Sequence, residues 1–175
     1  MHRRSCWVAY QSLVAGIRAR RRELRVSQEA LGSMAGLHRN TVRLLESGQT
    51  DATLLTVVRV LAALGVTRIE LEGRLVNASF AAGGPEAPTR VSEGFATWVS
   101  DGPAVLERFG RSIAERRREA GLTQERLAER TGLHPHTIGE IERGLEDPTV
   151  STVLALYETL GVHELAPAPE GLALS

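Results

Sequence analysis

The chain contains no lysine. All 21 of its basic residues are arginine, and 21 acidic residues balance them to a net charge of zero. A neutral whole argues against a uniformly basic protein of the kind that coats nucleic acid, yet leaves room for a local basic face. Arginine is also the better residue for bidentate contacts to phosphate and guanine. Cysteine is nearly absent. Cys6 stands alone, so an intrachain disulfide and a cysteine-based metal site are both excluded. Aromatic residues make up 4% of the chain against 42% apolar residues in all. Any core must therefore be built from Leu, Val, Ile and Ala, which favours helices packed on helices. No apolar run approaches the ~18 residues that a membrane span needs. The first residues, MHRRSCWVAY, have a basic start but no apolar core and no small-residue cleavage site, so a secretory signal is not expected. These points together predict a cytoplasmic protein. The sequence also lacks a phosphate-binding glycine loop, a zinc spacing and a nucleophile–base constellation, so neither an enzyme, a cofactor nor a metal is expected. The nearest approach to a metal motif is His134-Pro135-His136, and two histidines at that spacing on a helix start are more often incidental.

What the chain does have is a repetition. An offset of 96 residues sets Ile17 on Ile113 and runs without a gap from 17–66 onto 113–162, with 21 of 50 positions identical. The identities include Arg20–Glu23 with Arg116–Glu119, Gly36-Leu37-His38 with Gly132-Leu133-His134, and Leu64-Gly65-Val66 with Leu160-Gly161-Val162. A period this long is too great for a solenoid and reads as two copies of one small domain.

Each copy predicts the same four helices. Helix 1 of the first copy covers roughly Ser5–Leu24, with Leu13, Ile17 and Leu24 inward. Ser27 caps a short helix 2, Glu29 sits in its positive first turn, and Leu31 and Ala35 face inward. Gly36 stops that helix. Helix 3 starts near Arg39, carries Val42 and Leu45 inward, and ends at Gly48. Thr53 is placed to cap helix 4, whose apolar face is Leu54, Val57, Val58, Leu61 and Leu64. The second copy repeats the plan with Phe109, Ile113, Leu127, Ile138, Ile141, Val150, Val153, Leu154 and Leu160, and with Thr123 and Thr149 at the capping positions. Two short helices joined by a tight glycine turn form a helix-turn-helix signature. Their close crossing wants a small residue after the helix 2 leucine, which Gly32 and Ala128 supply.

The stretches SQEALGSMAGLHRNTVRLLESG (27–48) and TQERLAERTGLHPHTIGEIERG (123–144) resemble the helix-turn-helix family of phage repressor and Cro proteins, also called the xenobiotic-response-element family. The resemblance covers most of the chain. It implies an all-α fold of two tandem four- to five-helix bundles of the lambda-repressor-like type, with the third helix of a bundle entering the DNA major groove. It also implies structural ion pairs between a helix 1 arginine and the glutamate ending helix 3, here Arg21–Glu46 and Arg117–Glu142. The start of helix 2, Ser27 and Gln28 in the first copy, would face a phosphate. Base edges would meet His38, Arg39, Asn40, Thr41, Arg43 and Leu44. Arg39 or Arg43 can pair with guanine, Asn40 with adenine, and Leu44 can touch a thymine methyl. The corresponding candidates in the second copy are Thr123, Gln124, His134, His136, Thr137 and Glu140. That set has no arginine, and Glu140 would face the groove.

Charge separates the copies further. Residues 17–66 hold 8 Arg and 4 acidic residues, a balance of +4, whereas 113–162 hold 6 Arg and 9 acidic residues, a balance of −3. Counterion release favours the first copy as the DNA binder. The expected function is a sequence-specific double-stranded DNA-binding transcriptional regulator, a repressor, reading mainly with helix 3 of the first copy. The alternative is a protein-interaction module, antitoxin-like or binding polymerase or another repressor, whose second copy serves dimerisation or a partner. No effector is readable.

The expected organisation is a first, basic domain over 1–80, a Gly/Pro/Ala-rich linker over 81–94, a second, acidic domain over 95–166 and a flexible tail over 167–175. Thr67–Phe80 reads as a short fifth helix or an irregular extension, and Phe95, Trp98 and Val99 as a short apolar helix ahead of the next helix 1. A linker of ~12 residues spans ~20 Å on average and ~40 Å at most, enough for half-sites ~34 Å apart. One chain can thus imitate a repressor dimer, and a homodimer displaying two arginine-rich copies is equally compatible.

Overall fold

The structure, a computed structural model, describes the backbone of residues 2–72, 75–80, 102–161, 164–168 and 171–174, and the side chains of 6–66 and 102–161. The expected linker over 81–94 and the expected apolar helix at 95–99 lie outside the described residues. The first bundle comprises α1 (His2–Glu23), α2 (Gln28–Ala35), α3 (Arg39–Ser47) and α4 (Leu54–Ala63). The second comprises α5 (Gly102–Glu119), α6 (Gln124–Thr131), α7 (Pro135–Glu142) and α8 (Val150–Leu160). None of the described helices is long and apolar enough to cross a membrane.

The helices start and stop where local chemistry dictates. Ser27 accepts from the Ala30 amide at 3.0 Å and Thr123 from the Arg126 amide at 3.2 Å, so each second helix has its N-cap. Gly36 and Gly132 end those helices in the left-handed conformation, at φ of 63° and 71°. That reversal folds the third helix back onto the second. The crossing in the first copy is tight: a Cβ on Gly32 would lie 2.8 Å from the Leu37 carbonyl oxygen. Ala128 carries its methyl buried at the matching position.

The expected apolar faces are the core. Leu13, Ile17, Leu31, Val42, Leu45, Val57, Val58, Leu61 and Leu64 are buried in the first copy, and Phe109, Ile113, Leu127, Ile138, Ile141 and Val153 in the second. Leu160 is only partly buried, at the edge of that core. Each large side chain removed from water contributes roughly 1.5–3 kcal/mol, which is why helices this short hold their shape. Tyr10 and Tyr157 add aromatic bulk, and Tyr157 meets Phe109 edge-on at 6.1 Å.

Two expectations about the segments that follow the helices are corrected. Thr67–Phe80 is neither a helix nor irregular: β1 (Val66–Glu72) and β2 (Leu75–Phe80) form an antiparallel hairpin. The sequence carries the reason, since charges at Arg68, Glu70 and Glu72 alternate with Ile69 and Leu71 in the two-residue period of a strand. The expected tail also contains structure. β3 (Glu164–Ala168) and β4 (Gly171–Leu174) pair with each other, and β3 pairs with β1, giving the order β2-β1-β3-β4. Both bundles are helical throughout, and these strands follow them and join the end of one copy to the end of the other.

The copies also meet directly. The Leu54 amide donates to the Pro148 carbonyl at 2.8 Å, and the Val150 amide to the Ala52 carbonyl at 2.8 Å, around a bridge between Thr53 and Thr149. Neither threonine caps its own helix through its side chain, contrary to expectation. The partner copy supplies the caps instead. Asp147 accepts from the Leu55 amide at 3.1 Å, and Asp51 accepts from the Ser151 amide at 3.2 Å and from the Ser151 hydroxyl. Each threonine hydroxyl turns to a neighbouring one in its own helix, Thr56 or Thr152, at 3.1 Å.

Candidate nucleic-acid interface

The third helix of each copy is held by a buried ion pair. Arg21 Nε donates to Glu46 Oε1 at 2.5 Å and Nη2 to Glu46 Oε2 at 2.8 Å, while Nη1 reaches the Val26 carbonyl at 2.7 Å. Arg117 repeats this on Glu142 at 2.6 and 3.0 Å and on the Leu122 carbonyl at 2.8 Å. Both expected pairs are therefore formed. Burial alone would raise the Glu46 carboxyl, but hydrogen bonds from Arg21 and Gln28, with the charges of Arg21 and Arg18, outweigh it and hold it below the ordinary range. Glu142 is lowered by the same balance, with Arg117, Gln124 and Arg118. The hydrogen bond to Glu46 raises Arg21 in turn, and that to Glu142 raises Arg117.

Gln28 and Gln124, expected at phosphates, each donate to this glutamate at 2.8 Å. An amide has two N–H donors, so one remains for a ligand while the other fixes the side chain to the bundle. Ser27 and Thr123 spend their hydroxyl oxygens on capping.

On α3, His38, Arg39, Asn40, Arg43 and Leu44 are exposed and Thr41 is half-buried. They form one outward face, since Val42, Leu45 and Glu46 turn inward. His38 is the N-cap: its Nδ1 accepts from the Asn40 amide at 3.1 Å. Arg43 Nε donates to Asn40 Oδ1 at 3.0 Å, which pre-sets the two side chains relative to each other. Leu44, 37% exposed, is one of few large apolar side chains left to solvent among the described residues.

The second copy offers different chemistry at the same place. His134 caps α7 through Nδ1, accepting from the His136 amide at 3.2 Å. His136 Nε2 lies 3.3 Å from Glu140 Oε1. Thr137 and Glu140 are half-buried, and Gly139 stands where Arg43 does in the first copy.

The structure also brings in residues that sequence reasoning passed over. Arg18 Nη2 donates to the Glu46 carbonyl, and Gln11 Nε2 to the Gly48 carbonyl at 2.6 Å. Tyr10 donates to the Thr50 carbonyl at 2.7 Å and accepts from the Ala52 amide at 3.1 Å. Together they tie down the end of α3 and the loop behind it. Their counterparts at an offset of 96 are Ala114, Glu107 and Leu106, which cannot make these bonds. The signal lay in those differences between otherwise matched copies.

A cavity of about 700 Å³ opens beside the junction, lined by Cys6, Trp7, Asp51, Leu133, Ser151 and Ala155 among others. Asp51 and Ser151 there are already bonded to each other. Among the described residues no group of three or more His, Cys, Asp or Glu is placed to hold a metal ion.

Parts of this chain are similar to known proteins. The helix-turn-helix family model matches this chain twice, over residues 17–71 and 113–165. The uncharacterized HTH-type transcriptional regulator y4dJ of Sinorhizobium fredii is 43% identical over 56 residues, covering 32% of this chain and 73% of that protein. The crystal structure of the restriction-modification controller protein C.AhdI from Aeromonas hydrophila is 33% identical, covering 38% of this chain and 94% of that one, with a TM-score of 0.33. With two family matches over most of its length, and the ion pair and glycine turn formed in both copies, the chain belongs to the helix-turn-helix family of DNA-binding transcriptional regulators of the xenobiotic-response-element type.

Proposed function

We propose that the protein is a sequence-specific repressor that reads the major groove of double-stranded DNA with α3. One observation carries this reading: Arg39, Asn40, Arg43 and Leu44 share an outward face on a helix that Arg21, Arg18 and Gln11 clamp at its base. A rigid helix loses little entropy on docking, so its side chains retain most of what their contacts provide. An arginine pairs with guanine O6/N7, Asn40 with adenine N6/N7, and Leu44 meets a thymine methyl. Gln28 supports this with its second amide N–H aimed at a phosphate, and Ser27 sets the helix end behind it. His38 holds the first turn of α3 in shape, with Thr41 beside it. Repression follows from occupancy, since a chain seated in the groove denies the duplex to polymerase.

In the second reading the chain binds a protein. Its support is the acidic second copy, where Pro135 and Gly139 stand in place of Arg39 and Arg43, and the His136–Glu140 pair in place of Asn40 and Leu44. A gel-shift titration on random duplexes at two salt concentrations separates the readings. Salt-sensitive binding supports the repressor, and binding insensitive to salt or absent supports the interaction module. Selection from a random DNA pool then identifies the operator.

A further inference from the structure

We propose that the chain is an internal dimer, so that one molecule occupies two unlike half-sites one helical turn apart on DNA. This rests on the reading of α3 above and adds to it the stoichiometry and the form of the operator.

The junction between the copies has the self-complementary form of an interface between two identical subunits. At the offset of 96, Leu54 matches Val150, Ala52 matches Pro148, Asp51 matches Asp147 and Leu55 matches Ser151. The bonds follow the same exchange. Leu54 donates to Pro148 and Val150 to Ala52; Asp147 caps Leu55 and Asp51 caps Ser151. Thr53 meets its own counterpart, Thr149. In an isologous contact residue i meets j and j meets i, and the self-paired residue lies on the two-fold axis. Here both halves belong to one chain. The face that two separate subunits would use is already filled.

Geometry limits where the two third helices stand. The axis lies in the loop directly behind α3 and, by symmetry, directly behind α7. From Arg43 to Thr53 the chain spans ~26 Å at most, a turn of helix followed by six extended residues. Two such reaches and the width of a strand pair keep the centres of α3 and α7 within ~57 Å. Adjacent half-sites, ~34 Å apart, fall inside that bound, and half-sites two turns apart, ~68 Å, fall outside it. A two-fold relation places the helices in successive major grooves in opposite senses, which reads an inverted repeat.

The repeat is imperfect because the two faces differ. Arg39, Asn40 and Arg43 recognise purine edges in one half. In the other, Glu140 accepts from cytosine N4, with His136 Nε2 3.3 Å from its carboxylate. Covalent linkage keeps the second module at high effective concentration, so occupation needs no prior encounter of two chains.

The test uses the full-length protein on its selected duplex, with hydroxyl-radical footprinting and the mass of the complex by sedimentation. The expected result is one chain per duplex, protection of both half-sites, and a binding curve first order in protein. Two chains per duplex, or protection of one half-site only, overturns the proposal. Glu140→Gln, which leaves the junction untouched, should change base preference in the second half-site and leave the first as it was; a change in the first or in neither overturns it. Asp51→Ala with Asp147→Ala should shrink the footprint to the first half-site and weaken binding by about 10²-fold or more. An unaltered footprint in that variant also overturns the proposal. Failure of the underlying reading looks different: the wild-type chain would select no sequence at all.

Discussion

Asp51 accepts the Ser151 amide at 3.2 Å, and so caps a helix 100 residues further along the chain, in the other copy. Asp147 returns the same service to Leu55. Neither fourth helix has a side-chain cap of its own. The start of each fourth helix is therefore satisfied only when the copies are paired, and the fold of each copy is coupled to the other.

That coupling predicts an unequal pair of cap losses. Asp51→Ala removes two bonds to Ser151 and should cost about 1–2 kcal/mol; Asp147→Ala removes one and should cost about 1 kcal/mol or less. Urea denaturation measures both. A cap without structural weight would leave both midpoints where they were.

The ion pairs should matter more. Glu46 is 3% exposed, so Arg21→Ala leaves a nearly buried carboxylate with its main partner gone. The expected loss is about 3–5 kcal/mol, and Arg117→Ala should behave alike. Arg21→Ala with Glu46→Leu, which removes both charges, should recover much of it. Chemical denaturation of the three variants checks the order.

Acid should unfold the protein through the same groups. The folded carboxyls of Glu46 and Glu142 lie below the ordinary range, so the unfolded chain takes up protons first as pH falls. Their stabilisation is complete above the unfolded value of about 4.3 and is lost as pH drops from there through the folded values. Stability followed from pH 7 to pH 3 should fall at the acidic end, and less steeply in Glu46→Gln. A flat profile in the wild type would contradict this.

Two glycines should respond in opposite directions. A Cβ on Gly110 would clash with the Ile141 carbonyl oxygen, so Gly110→Ala must push α5 from α7 and should cost about 2 kcal/mol or more. Nothing lies within 4 Å of a Cβ on Gly16, in the exposed middle of α1, so Gly16→Ala should stabilise by about 0.5–1 kcal/mol. Thermal melts of the pair give the signs.

Helix positions and glycine turns were readable because they repeat at a fixed offset and rest on local spacing, whereas the Arg21–Glu46 and Arg117–Glu142 pairs, each 25 residues apart, were expected only from the resemblance to a known family. The hairpin at Val66–Phe80 was missed although Arg68, Glu70 and Glu72 alternate, because a helical family pattern led into it. The caps at Leu55 and Ser151 were not readable at all. Thr53 and Thr149 are sound N-cap residues by type, and only the meeting of distant segments shows that aspartates displace them. His38 illustrates the same limit within the site, since its part in capping α3 depends on a ring nitrogen whose aim no spacing reveals.

The central claim is that α3 of the first copy reads bases, and competition binding to the selected operator and its single-base variants measures it most directly. Arg39→Ala, Asn40→Ala and Arg43→Ala should each cost about 1–3 kcal/mol and flatten discrimination at a defined base pair, while Gln28→Ala weakens all sequences about equally. If Arg39→Ala and Arg43→Ala bind every variant as the wild type does, α3 is not the reading helix.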